Sequence, residues 1–331
     1  MSKGLERAKR GARDKSLCII INRKKVWDDE GVAATIGTLL SLMVFLTFLG
    51  MFTNQYIPVW MEDNESSHMN QVIGQLSTLK SGIDLQIITT SGGELTSSPL
   101  FTPIQLHADG IPVFASPTVG SLSFTSESTG FPCFIVNFNY TVGTGASAQN
   151  FELNATNGGK SGGSLEFKGM NRYYVQQTVA YENGAIILNQ STGEIVLSGI
   201  SIRIVNYSDD IMVKMNQVSL IGVNKSIGGF GTKAVASILE FANYAKFDNS
   251  SGSNLTFSIV TKYGNAWEKY FRDLRDDSVD NGVPSSLWNV SKSSFKVDET
   301  VYYTVVVKIT NVDSLEYTKA VVSMTMADLS V

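Results

Sequence analysis

The longest uncharged stretch of the chain lies near its N-terminus, between Gly31 and Met61. Its apolar centre, residues 32–52, has the length of about 20 residues at which a helix crosses the hydrocarbon core of a bilayer. Tyr56 and Trp60 follow at the place of an interfacial aromatic belt. The alternative is the buried core helix of a soluble protein. Since no later window is comparable, the pattern favours a single membrane span.

A second apolar pattern continues the helix beyond Pro58. Apolar residues recur there at spacings of three and four, which indicates one face of an amphipathic helix. These residues are Met69, Val72, Ile73, Leu76, Leu79 and Ile83. Pro58 is expected to kink the helix, because proline removes a backbone donor. We therefore expect a leader over residues 1–31 and a transmembrane and stalk helix over residues 32–83.

Residues 84–331 are expected to form a β-rich head domain, because short apolar runs there are separated by Gly, Ser and Asn. Several runs alternate apolar and polar positions, which indicates sheets with one buried and one solvated face. The fold class is therefore α+β, with a mainly antiparallel, sandwich-like head. The predicted strands are Ile83–Thr89, Ile111–Ala115, Leu122–Thr125, Phe134–Val142, Ser164–Phe167, Tyr173–Ala180, Ala185–Leu188, Glu194–Leu197, Ser201–Val205, Ile211–Ile221, Leu255–Thr261, Val301–Ile309 and Ala320–Met326. Two short helices are expected among them, at Lys233–Asn243 and Asn265–Asp276.

Charge sets the predicted orientation of the membrane helix. Residues 1–25 carry nine basic residues and two acidic ones. The basic residues are Lys3, Arg7, Lys9, Arg10, Arg13, Lys15, Arg23, Lys24 and Lys25. The positive-inside rule puts this end in the cytoplasm and the head outside. The alternative is a nucleic-acid-binding tail, but the placement before a span favours topology, and a net charge of −4 gives no global basic surface.

Nine Asn-x-Ser/Thr sequons lie beyond the apolar stretch, which agrees with an extracellular head. They begin at Asn64, Asn139, Asn154, Asn189, Asn206, Asn224, Asn249, Asn254 and Asn289. In a secreted segment such sequons are candidate glycosylation sites.

A cleaved secretory signal has a shorter apolar region, followed by a small-residue cleavage site. Here the apolar stretch runs on into a helix. The combination of a basic leader, Gly31, an uncharged helix, an amphipathic stalk and a β-rich head resembles archaeal type IV pilins. The segment from Gly31 to Leu39, with Ile36-Gly37-Thr38-Leu39, is similar to the start of archaellins. The residues from Tyr181 to Ile187 and from Ala266 to Phe271 resemble archaeal pilin-like surface proteins more weakly.

The resemblance implies that a prepilin-type peptidase cuts after Gly31 and leaves Val32 as the mature N-terminus. It also implies that other pilin-like subunits are partners, besides membrane lipid. Small residues permit close helix approach, and they are candidates for helix packing. These are Ala33, Ala34, Gly37, Ser41 and Gly50.

Candidate chemistry is sparse. His68 and His107 show no metal-ligand spacing, and Cys18 and Cys133 fall on opposite sides of the span, so we expect no disulfide, metal or cofactor. The run Asn157–Gly163 lacks the spacing of a phosphate-binding loop and is interpreted as a flexible loop.

The acidic cluster of Asp273, Asp276, Asp277 and Asp280 could suit Ca²⁺, but it fails the EF-hand register. A solvated helix end is the favoured interpretation of this cluster.

Three functional hypotheses follow. The leading one is a structural or minor subunit of a type IV pilus-like filament with a glycosylated head, which is not an enzyme. The alternative is a surface module that stays anchored, binds or adheres to a glycan, a solute or the cell envelope, and never polymerises. The third is an ectoenzyme, for which no catalytic constellation is apparent.

Overall fold

A computed structural model of the chain describes residues 27–90, 98–142, 148–207 and 210–328, without the side chains of residues 27–30, 142, 249–251 and 328. The predictions for the basic leader and for Cys18 lie outside these residues. The described chain divides into two compact units, with the boundary between Trp60 and Met61.

The described part of the first unit, residues 27–60, is helical. Helix α1 spans Trp27–Met51, a π-helical turn spans Phe52–Tyr56, and helix α2, Ile57–Thr90, begins before the boundary. In the π turn the N–H of Ile57 bonds to the carbonyl of Phe52, five residues earlier. This irregularity ends two residues before Pro58, whose ring nitrogen has no hydrogen to donate to the preceding turn. By length and composition, Gly31–Thr90 is long and apolar enough to cross a membrane.

The second unit contains most of α2, and its apolar stripe is buried there. The buried stripe consists of Met69, Val72, Leu76, Leu79, Ile83 and Ile87, and Ile73 is half-buried beside it. The predicted amphipathic helix is therefore confirmed. The predicted strand Ile83–Thr89 is wrong, because this segment continues the helix to Thr90. Leu85 and Ile88 are exposed on the side of the helix opposite the buried stripe.

Within the described residues, the β-rich part of the chain forms fifteen strands and one longer helix. The strands are β1 Leu100–Gln105, β2 His107–Ala108, β3 Thr118–Ser126, β4 Cys133–Val142, β5 Gln149–Leu153, β6 Lys160–Gly169, β7 Gln177–Glu182, β8 Ala185–Gln190, β9 Gly193–Ser198, β10 Ile202–Tyr207, β11 Asp210–Ile221, β12 Lys225–Gly229, β13 Thr232–Thr261, β14 Trp288–Val297 and β15 Thr300–Asp328. The helix is α3, Gly264–Asp280. Single 3₁₀ turns occur at Glu127–Thr129 and Ser285–Leu287.

Hydrogen bonds join the strands into one network with the path β10-β11-β15-β13-β4-β6-β7-β8-β9. Strand β3 pairs with β6, and β1, β5, β12 and β14 add further edges. Of the described pairings only β11 with β15 is parallel. The prediction of an α+β fold with a large, mainly antiparallel β domain is confirmed.

Two hydrophobic cores lie along this network. The first, the helix core, packs the α2 stripe against residues such as Leu122, Phe167 and Tyr181. The second, the α3 core, packs Trp267 and Phe271 of α3 against strands that include β4 and β10. Strands β13 and β15 are about 30 residues long and contribute to both cores, with register shifts near Leu239 and Asp248.

Of the two short helices predicted within the β-rich part of the chain, one is present. The predicted helix Asn265–Asp276 is confirmed as part of α3, and its acidic residues are exposed at the solvated helix end. The predicted helix Lys233–Asn243 is wrong, because it forms the start of β13 between β1 and β15. Residues 234–237 of this segment are buried on both faces, where small alanine side chains suit a strand, and this tertiary context outweighs helix propensity.

Three further boundaries needed correction. Ile111–Ala115 is not a strand but a turn closed by one β-bridge. Tyr173–Ala180 becomes a strand only from Gln177. The expected flexible loop Asn157–Gly163 is wrong in its second half, because β6 begins at Lys160. Gly163 has a φ of 91°, and a Cβ there would meet Leu220 at 2.8 Å, so glycine is required by close strand packing.

Leu76 provides a test of the helix core. Its side chain is 0% exposed, whereas Leu85 on the same helix is 60% exposed. We expect Leu76→Ala to lower the free energy of unfolding by about 2–5 kcal/mol, because a cavity is left in the core. The matched variant Leu85→Ala should change it little. Thermal unfolding of the purified full chain measures both, and equal effects would contradict the described packing of α2.

Candidate functional site

The first feature of functional interest is the apolar surface of α1. Every side chain from Gly31 to Phe48 is exposed, and Phe48 exposes 67% of its surface. Monomeric soluble proteins rarely leave so large a contiguous apolar surface in water. The surface therefore requires an apolar environment that the described residues do not supply.

The small residues chosen as candidates for helix packing fall on two sides of α1. Ala33, Gly37 and Ser41 follow at intervals of four residues and share one exposed face, with Ala34 beside them. A Cβ added to Gly37 would meet no atom within 4 Å. Gly50 is half-buried and, at 100° per residue, lies on roughly the opposite side from Ser41. Four of the five candidates, Ala33, Ala34, Gly37 and Ser41, thus form one strip of small side chains on α1.

The two residues of the predicted processing site lie within α1. Gly31 and Val32 are both exposed, and a Cβ at Gly31 would also meet no atom within 4 Å. Cleavage between them remains a prediction.

A buried carboxylate fixes the start of α2 in the second unit. The Glu65 carboxylate accepts hydrogen bonds from the backbone N–H groups of Arg172, Tyr173 and Tyr174, at 3.0, 2.8 and 2.7 Å. Successive backbone N–H groups of this kind form a concave anion site. Next to it, the Asn64 side chain donates to the carbonyl of Asp109 at 3.1 Å. Glu65 and Asn64 therefore attach this part of α2 to the strands and loops of the second unit.

His68 and Gln75 connect the same helix to β1. The His68 Nε2 atom lies 2.9 Å from the carbonyl oxygen of Gln105, and the Gln105 N–H donates to Gln75 Oε1 at 3.1 Å. Burial lowers the pKa of His68, so its neutral form is favoured. His107, by contrast, accepts a hydrogen bond at Nδ1 from the N–H of Gly231. The hydrogen bonds of both histidines thus give each of them a structural role.

A second buried acid, Glu182, lies near the end of β7. Its side chain is 2% exposed, and its Oε2 accepts a hydrogen bond from Thr261 Oγ1 at 3.0 Å. Burial raises the pKa of Glu182 to about 8. The indole N–H of Trp267 faces this acid and favours its charged form, but it misses hydrogen-bonding geometry, so Glu182 Oε1 has no partner among the described residues. Sequence reasoning missed both Glu65 and Glu182.

The sequon asparagines whose side chains are described are exposed or half-buried. Asn139, Asn224, Asn254 and Asn289 are exposed, and Asn64, Asn154, Asn189 and Asn206 are half-buried. Asn249 lies in β13, but its side chain is outside the described set. Sugar is attached at Nδ2, and three of these atoms already donate hydrogen bonds, from Asn64 to Asp109, from Asn206 to Gly282 and from Asn224 to Thr129. Glycosylation of any of them remains a prediction.

Cys133 is buried, and burial raises the pKa of its thiol. Within the described ranges, no group of three His, Cys, Asp or Glu side chains could hold a metal ion. Comparison of the sequence with protein-family models and with curated proteins, and of the structure with solved structures, gives no match.

The Glu65 attachment predicts a local effect of Glu65→Gln. The amide replaces one acceptor oxygen by an NH₂ group that faces backbone donors, so we expect a loss of about 1–3 kcal/mol in the free energy of unfolding. Hydrogen exchange at the amides of residues 172–174 should accelerate. Glu62→Gln, an exposed site on the same helix, is the control. Unchanged exchange at these three amides in the Glu65 variant would contradict the attachment.

Glu182 predicts a pH-dependent stability. Between its ordinary pKa of 4.5 and the folded value of about 8, the unfolded chain loses the proton that the folded chain keeps. The contribution of Glu182 to stability therefore falls as pH rises through this range. Glu182→Gln keeps an acceptor for Thr261 but cannot titrate. The melting temperature of the variant minus that of the wild type should therefore increase from pH 5 to pH 8. Glu166 and Lys262 are present in both proteins, so a difference that is constant with pH would contradict the buried acid.

Proposed function

We propose that this chain is a pilin-like, membrane-anchored surface protein that serves as a structural or minor subunit of a type IV pilus-like filament. The observation that carries the proposal is the contrast between the two apolar helical surfaces. The stripe of α2 is buried in the β domain, whereas the α1 surface from Val32 to Phe48 is exposed. One surface holds the protein together, and the other is available to an apolar environment.

Because apolar surface is unfavourable in water, we propose two environments for the exposed surface of α1, namely lipid and the helices of neighbouring subunits. Burial of apolar surface is worth roughly 25 cal/mol per Å², so α1 remains in lipid unless another apolar surface replaces that lipid. Helices of neighbouring subunits supply such a surface. The strip of Ala33, Gly37 and Ser41 lets their backbones approach closely.

The proposed topology is a single pass, with a cytoplasmic N-terminus and a sandwich-like, glycosylated head outside the cell. Nine basic residues before the helix and nine sequons after it support this orientation. Processing by a prepilin-type peptidase at Gly31 would release Val32 for assembly. The runner-up is an anchored binding module that keeps α1 in lipid permanently. The strip of small residues favours assembly, because contact with lipid alone does not require it.

Mass spectrometry of the mature N-terminus tests processing. In cells with a prepilin-type peptidase, we expect a mature chain that begins at Val32, because the resemblance implies cleavage after Gly31. Electron microscopy of the same cells should show filaments that contain the chain. A chain in the membrane fraction that retains Met1 or Ser2 at its terminus would overturn the filament proposal and leave the anchored module.

Gly37→Ile tests whether the strip of small residues on α1 is needed for close approach of neighbouring helices. Since no atom lies within 4 Å of a Cβ at Gly37, the variant should fold and insert normally but lose filaments. Leu40→Ile, a change between two large residues on the same helix, is the matched control and should retain filaments. Membrane fractionation verifies insertion of both proteins. Normal filaments of the Gly37 variant would show that close approach at this face is unnecessary.

A further inference from the structure

A cleft of about 480 Å³ opens in the second unit, on the face of the sheet opposite the helix core. Its size falls within the ~300–1,000 Å³ of small-molecule sites. The strand register explains its polar floor. Thr125 of β3 is opposite Ser164 of β6, and Ser164 is opposite Glu182 of β7. These three residues therefore form one row across adjacent strands. Their neighbours Phe124, Leu165 and Tyr181 point the other way, into the helix core.

Two of the charged side chains at this cleft, Glu166 and Lys262, compensate each other. Glu166, two residues beyond Ser164, contacts Lys262 with 3.7 Å between Oε1 and Nζ. Glu182 is neutral below its raised pKa of about 8 and then offers an acidic O–H as well as an acceptor oxygen. One further carboxylate, Asp298, lies on the rim. With so little net charge, the cleft does not suit a phosphate or a strongly cationic ligand.

Aromatic rings form one wall. Phe131 and Tyr302 line the cleft, with ring centroids 5.0 Å apart, and Phe295 packs 6.0 Å from each of them. Phe131 and Tyr302 are half-buried, so part of each ring remains accessible. Aromatic faces bury flat apolar surface, whereas the floor offers hydroxyl and carboxyl groups that hydrogen-bond.

We propose that this cleft binds a neutral sugar residue of a glycan. A pyranose ring combines an apolar C–H face with a set of hydroxyl groups that donate and accept hydrogen bonds. The C–H face suits the wall of Phe131 and Tyr302. The hydroxyl groups suit Thr125, Ser164 and Glu182, whose Oε1 has no other partner among the described residues. The proposal concerns the second unit and does not depend on filament assembly.

The sugar has two possible sources. Asn224, a sequon asparagine, contacts Thr129 at the edge of the cleft, with 3.3 Å between Nδ2 and Oγ1. A glycan carried on Asn224 thus starts next to the cleft and could supply the sugar. The other source is a glycan on another molecule. Both have the same ligand chemistry, and the experiment separates them.

The test uses the full chain, made without N-glycans and kept in a detergent that contains no sugar. The probes are methyl α-mannoside, methyl β-glucoside, methyl β-galactoside and N-acetylglucosamine, with saturation-transfer NMR and calorimetric titration as readouts. We expect at least one probe to bind in the millimolar range. Tyr302→Ala should weaken binding by about tenfold through loss of ring contact. Thr125→Val, which preserves shape, should also weaken it. Tyr207→Ala, at an exposed residue that does not line the cleft, should leave it unchanged.

Failure of all four probes to bind the folded protein would overturn the proposal, and so would binding that survives both cleft variants. Protein made with N-glycans then identifies the source. Weaker probe binding that Asn224→Gln restores assigns the cleft to the chain's own glycan. Equal binding with and without N-glycans assigns it to a glycan on another molecule.

Discussion

The structure depends on how the apolar surface of its N-terminal helices leaves water. Along α2, residues from Met69 to Ile87 fill the helix core, and strands from β1 to β15 surround them. This stripe is an internal part of the β domain. Along α1, the apolar residues from Val32 to Phe48 are exposed and have no equivalent cover among the described residues. Burial of apolar surface away from water is thus achieved for α2 but not for α1. We therefore propose that lipid and neighbouring copies of the chain cover α1.

Polar groups at the start of the buried stripe determine how the helix is held. A carboxylate such as that of Glu65 is costly to bury, and three backbone N–H groups offset that cost. His68 and Gln75 add contacts to β1. Because unmade hydrogen bonds are expensive inside a protein, these contacts specify one position of α2 along the sheet rather than merely adding stability. The β domain therefore holds α2 at one defined position along the sheet.

Part of the fold follows from local patterns, and part does not. The stripe from Met69 to Ile83 was predictable, because spacings of three and four recur over several turns. Its last turns were misassigned as a strand, because Leu85 and Ile87 also alternate. The start of β13 was misassigned because alanine favours helices, yet Lys233–Asn243 pairs with β15 and, up to Ser237, also with β1, and both strands come from distant parts of the sequence. Glu65 and Glu182 gave no signal, since their partners lie up to 109 residues away and only the fold brings them together.

The central claim is that α1 anchors the protein while the second unit folds around its own helix. Deletion of residues 32–52, followed by cell fractionation and thermal unfolding, tests this claim most directly. The account predicts that the shortened chain appears in the soluble fraction and unfolds cooperatively at about the temperature of the full chain, because the helix core is intact. A shortened chain that remains in the membrane fraction, or one that is soluble but has lost cooperative unfolding, would contradict it.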